Sequence, residues 1–145
     1  MAITSAICNS FKQEILVGTH NLTASSGNTF KIALYTSSAS LGASTTAYST
    51  SNEITNTSGS AYSAGGATLT SVTPVLDSST AVCDFADVSF SSASFTANGA
   101  LIYNDTQSDK AVAVIAFGGD KTVTSGTFTI QFPAADASNA IIRIA

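Results

Sequence analysis

Two apolar runs flank a short polar loop between Gly99 and Phe117. Gly-Ala-Leu-Ile-Tyr (99–103) comes first, then Asn104 to Asp109, then Lys-Ala-Val-Ala-Val-Ile-Ala-Phe (110–117). This is a hairpin signal. Neither run alternates cleanly. Leu101 and Tyr103 oppose Ala100 and Ile102, and Val112, Val114 and Ala116 oppose Ala111, Ala113, Ile115 and Phe117. A strand apolar on both faces is covered on both faces. The hairpin is therefore expected at the centre of the fold. A second sheet should bury one side, and the other side needs a helix or another subunit.

The 145 residues are enough for one domain, 1–145, with a real core. Only 10% are charged, against roughly 25% in an average soluble domain. With 44% hydrophobic residues and a mean hydropathy of +0.29, the chain lacks the profile of a disordered one. Ser and Thr supply about three residues in ten. Few surface charges keep copies apart, so much of the surface is expected to be covered in an assembly. Lys12, Lys31, Lys110, Lys121 and Arg143 never cluster, and the net charge is −4. That excludes the basic footprint of a nucleic-acid binder. No apolar run reaches the 18 or so residues of a membrane span. Lys12 and Glu14 interrupt any secretory core, so synthesis in a cytoplasm without export is expected. The Asn-x-Ser/Thr triplets at Asn21, Asn56 and Asn104 then carry no meaning.

Taken in order, residues 4–17 read as the single helix. Thr4 or Ser5 would cap it, Ile3, Ile7, Phe11 and Ile15 would form an apolar stripe, and Gly18 would end it. Lys12 and Glu14 fall on its outer face, and His20 reads as a surface or capping residue past its end. Thr29 to Thr36 is a strand with Phe30, Ile32 and Leu34 inward and Lys31 and Ala33 outward. Residues 37–66 form a long, nearly uncharged connection, a candidate contact loop. Further strands are expected at 67–75, 80–90 with a bend, 126–132 and 140–144, with Pro74 demoting the end of the first to an edge. Gly118-Gly119-Asp120 reads as a tight turn. The sum is a mainly β fold. It is an antiparallel two-sheet sandwich or jelly roll of about eight strands, with one N-terminal α-helix.

Signals for chemistry are sparse. Cys8 and Cys83 lack a paired spacing and lie on apolar faces. A catalytic thiol would need His20, which nothing in the sequence brings to either. Asp84, Asp87, Asp120 and Asp136 have no calcium-ligand spacing and are weaker still as glycosidase carboxylates. No nucleophile elbow or phosphate loop occurs. The reading is a non-enzyme with no cofactor and no metal. A small hydrolase centred on His20 is the remotest alternative.

Several stretches resemble a family of small virion structural proteins of tailed bacteriophages. They are Phe30 to Tyr48 (Phe-Lys-Ile-Ala-Leu-Tyr-Thr-Ser-Ser-Ala-Ser-Leu-Gly-Ala-Ser-Thr-Thr-Ala-Tyr), Ala61 to Gly66, Asp84 to Asp87, Phe95 to Asn104 and Gly126 to Pro133. The opening Cys8-Asn-Ser-Phe-Lys12 shares the likeness. The resemblance implies a particle component with no active-site residues. The favoured placement is a capsid decoration (cement) protein on the virion surface. It would bridge major capsid protein subunits as a homo-oligomer, with a trimer expected. Candidate contact residues are Phe11 and Ile15 on the helix and Tyr35, Leu41, Tyr48, Ile54 and Tyr62 in or beside the loop. The alternative is a tail or head-surface host-attachment module. In that case Tyr35, Tyr48 and Tyr62 would stack on sugar rings.

Overall fold

The computed structural model describes residues 2–55 and 62–145. Eight strands form two antiparallel sheets with one N-terminal helix. The strands are β1 (Ala6–Ile7), β2 (Phe30–Tyr35), β3 (Ala67–Thr68), β4 (Ser71–Asp77), β5 (Thr80–Phe85), β6 (Val88–Asn104), β7 (Lys110–Ile130) and β8 (Ile142–Ile144); helix α1 spans Asn9–Leu16. The large sheet runs β1-β7-β6-β2-β3 and the small one β4-β5-β8. The mainly β sandwich expected from the sequence is the observed architecture.

The hairpin is the centre of the large sheet. Leu101 pairs with Val114 and Ile102 with Ala113, and β2 joins its other edge through Ile32↔Ile102 and Leu34↔Ala100. Leu101, Ile102, Val112 and Ala113 are all buried. One face carries Phe30, whose ring lies 5.9 Å from Phe85 of β5 and 6.4 Å from His20. His20 in turn lies 4.8 Å from Phe11 of α1. The small sheet and the helix thus share that face. The opposite face carries Tyr103, on which Tyr48 stacks at 4.6 Å. It is covered by the connection after β2. No second subunit is needed there, because the chain supplies its own lid. For the same reason Ala33, expected outside, is buried.

Four local expectations are corrected. The helix begins at Asn9, after Cys8, with no side-chain cap. Residues before it pair with β7 instead (Ala6↔Val114, Ile7↔Ala113). Ser5 does not cap; its Oγ accepts from the Ala116 N–H at 2.9 Å. An eight-residue helix is marginal alone, so packing of Phe11 decides where it forms. Its end agrees with expectation, since Gly18 takes φ +77° just past it. Second, Gly118-Gly119 is no turn. Both have positive φ inside a continuous β7, where the ladder with β6 carries register shifts. Third, the 67–75 strand divides at Leu69-Thr70, with β3 pairing in one sheet and β4 in the other. Pro74 sits in β4, an edge strand, at a register shift between Val72 and Val75. Fourth, β8 is shorter than the expected 140–144 strand.

Candidate interaction surface

The long connection is held down by one carboxylate. Glu53 is the sole charged residue between Lys31 and Asp77. It is buried, and its backbone bridges Tyr35 of β2. Its Oε1 accepts from the Tyr62 hydroxyl (2.5 Å) and the Gly65 N–H (2.8 Å), and its Oε2 accepts from the Tyr48 hydroxyl (2.7 Å). The Leu34 N–H donates to Tyr62 Oη (2.9 Å), Tyr103 donates to the Gly65 carbonyl (2.6 Å) and Tyr35 to the Ser49 carbonyl (2.7 Å). All four tyrosines of the chain are therefore spent in one network. Burial is the main reason each phenol is held above its ordinary pKa, and the Glu53 carboxylate adds to it at Tyr48 and Tyr62.

A second network surrounds His20, which is buried and not at the surface. Asn104 Oδ1 accepts from the Thr106 and Gln107 N–H groups and caps a 3-10 turn at Asp105–Gln107. Its Nδ2 must then be the donor, to His20 Nδ1 and Asn28 Oδ1, both at 2.9 Å. His20 Nε2 donates to Glu14 Oε1 at 3.2 Å, and Lys110 Nζ lies 3.1 Å from Glu14 Oε2. Glu14 thus turns inward from the helix. Both imidazole nitrogens are engaged, so His20 has no atom left for a thiol or a substrate. Burial raises the Cys8 and Cys83 thiols to about 11. These are inert core residues.

Neutral phenols and thiols are favoured by this fold, and that sets its pH response. An unfolded chain ionises its thiols near pH 9 and its phenols near pH 10, whereas the folded chain resists. Stability is expected to be intact below pH 9 and to fall as pH rises, through about 11 for the thiols and beyond for the phenols. Urea midpoints against pH, with phenolate absorbance, test this. Phenolate appearing at pH 10 while near-UV circular dichroism stays native would contradict it.

The candidate contact residues separate into two groups. Phe11, Tyr35, Ile54 and Tyr62 lie in the chain's own core. Their side chains are engaged in that core, although Phe11 also lines the cavity between α1 and β8. Ile15, Leu41 and Tyr48 are half-buried and pack against the same cluster. Of the 37–66 loop, residues 56–61, including the Asn56 triplet, lie outside the described residues. The rest is tied to its own domain by Ile3↔Leu41 and Ala47↔Lys110 bridges. Among the aspartates, Asp87 accepts from the Phe132 N–H and Asp120 from Asn98 Nδ2. Asp136 accepts from Asn139 and Ser138, whose hydrogen bonds hold its carboxyl below the usual range. Among the described residues no group of three or more His, Cys, Asp or Glu is placed to hold a metal ion. No helix among them is long and apolar enough to cross a membrane.

One surface among the described residues that remains open to a neighbour is the distal half of β6 and β7. Beyond Val114 no described strand pairs with the outer edge of β7, while its inner edge pairs with β6 as far as Val88↔Ile130. One face of this ribbon carries hydroxyl pairs, Ser89–Thr129 at 2.9 Å and Thr96–Thr122 at 2.8 Å. The other carries an aromatic ladder, with Phe95–Phe128 at 5.1 Å and Phe117–Phe128 at 6.0 Å. The ladder with β6 shifts register across the positive-φ glycines, between Lys121 and Ala116. Ile115, Phe117, Phe128 and Ile130 line one open groove of about 430 Å³. The sequence alone hid this surface, since Gly118-Gly119 read as the end of a strand.

No protein-family model matches the chain, and no curated protein or solved structure matches it either.

Proposed function

We propose that this chain is a non-enzymatic structural component of a bacteriophage particle. In this reading it is a capsid decoration (cement) protein that stabilises the head by bridging major capsid protein subunits. The observation that carries it is the β7 ribbon, a long strand edge on which no described strand pairs beyond Val114, beside an apolar groove. Such an edge adds cohesion by backbone pairing and burial, which is what a shell under pressure requires. The charge-poor Ser/Thr surface supports the same reading, because few charges must lose water when it is covered. The sequence resemblance to small virion proteins points the same way. A homotrimer, each copy lending its ribbon to the next, would use the edge in closed symmetry. The chain would be made in the host cytoplasm and come to rest on the capsid surface. The sugar-binding alternative has lost its residues, since Tyr35, Tyr48 and Tyr62 are consumed by Glu53, Ser49 and Tyr103.

Separated heads and tails from purified particles provide the test. The chain is expected on heads, and heads stripped of it should burst at lower temperature than intact ones. Re-addition should restore them, whereas the Phe117→Asp, Phe128→Asp variant should not. The chain found on tails alone, or absent from particles, would overturn the proposal.

A further inference from the structure

The sandwich is unfinished at one end. The inward row Leu76↔Ala81↔Ile144 crosses the small sheet, yet Leu76 is 72% and Ile144 54% exposed. Beside it, α1 ends in Leu16 and is followed by Val17, at 87% and 67% exposure. Between helix and sheet lies a cavity of about 300 Å³, walled by Phe11, Ile15 and Leu16 on one side and Ile142 and Ile144 on the other. Lys12 and Arg143 also line it, two of the chain's five cations. Among the described residues neither is in an ion pair. Lys12 donates to Asn9 Oδ1 and Arg143 to the Ala137 carbonyl. The β8 strand is the outer strand of its sheet, with no described strand on its free edge.

We propose that this opening is a docking site for an extended segment of another protein, one that alternates apolar and acidic side chains. Such a segment would add to the free edge of β8. Its apolar side chains would enter the cavity, and its carboxylates, on the opposite face, would lie across from Arg143, which alternation sets on the face of β8 away from Ile142 and Ile144, while exposed Lys12 sits on the helix side. Charge complementarity selects this occupant over a second copy. A two-fold contact through the patch would set Lys12 and Arg143 against their own symmetry mates, on chains that each carry −4. The site is defined by its own chemistry and stands whether or not the chain belongs to a capsid.

Fluorescence anisotropy tests it with two labelled synthetic peptides of roughly strand length, one alternating isoleucine with glutamate and the other isoleucine with lysine. The full chain is expected to bind the glutamate peptide, less tightly as salt rises, and to bind the lysine peptide weakly. Leu16→Ser should weaken the glutamate peptide about tenfold, and Lys12→Glu with Arg143→Glu should invert the preference. These side chains are exposed, so near-UV circular dichroism should confirm that the variants fold. Binding of neither peptide, or equal binding of both, would overturn the proposal. Self-association of the chain that Leu16→Ser abolishes would overturn it too, by making a second copy the occupant.

Discussion

Gly66→Ala is expected to cost about 3 kcal/mol or more, enough to unfold much of the population of a marginally stable domain. Gly66 has φ +79°, a conformation that costs an L-residue roughly 1–2 kcal/mol. Sterics add to this, because a Cβ there would fall on the backbone of Ile32, within 1.8 Å of its carbonyl oxygen. Backbone cannot rotate away as a side chain can. The strain can be relieved only by parting β3 from β2, where Ala67 pairs with Ile32. Gly118→Ala is the matched control. It has φ +75° and no atom within 4 Å of the added carbon, so it should lose only the conformational part, about 1 kcal/mol. Urea unfolding midpoints of the two variants separate strain from collision. Equal losses would mean that β3 is loosely held.

Glu53→Ala is expected to cost about 4 kcal/mol. Two phenols and one backbone N–H would lose their acceptor in a buried setting, at roughly 1–3 kcal/mol each and with less than full additivity. Glu53→Gln keeps a carbonyl oxygen and should lose about half as much. The damage should be local before it is global. The segment around Ser49 to Thr55 is expected to become the first site of limited proteolysis, since Glu53 is what anchors it to β2. A stability within about 1 kcal/mol of the parent would show that water reaches this carboxylate and satisfies its partners.

Much of the architecture could be read from the residues. The doubly apolar hairpin at 99–117 demanded cover on two faces, and the structure places it between a second sheet with α1 and a lid. Gly18 marked the end of the helix, and the bend after Phe85 separates β5 from β6. The contact surface was far less legible. Aromatic residues such as Tyr35 and Tyr62 look alike in sequence whether they face a partner or a core. Glu53 and Asn104 had a signal, a lone acid in an uncharged stretch and an Asn at a turn. That they are acceptor and donor hubs depends on partners far along the chain, such as His20, 84 positions from Asn104.

Alternation of apolar and polar side chains in the outer strands, and its absence at 99–117, settled that this chain is a sandwich with a buried hairpin, because burial periodicity is a local property of the backbone. Tertiary structure alone decided that residues 6–7 pair with the edge of β7 instead of joining α1, that Gly118-Gly119 sits within a strand without ending it, and that the long loop closes its own sheet. Each of these turns on which distant backbone groups and side chains find one another. Local preference among strand, helix and turn is worth a few tenths to about 1 kcal/mol per residue, and buried pairing across the chain outweighs it.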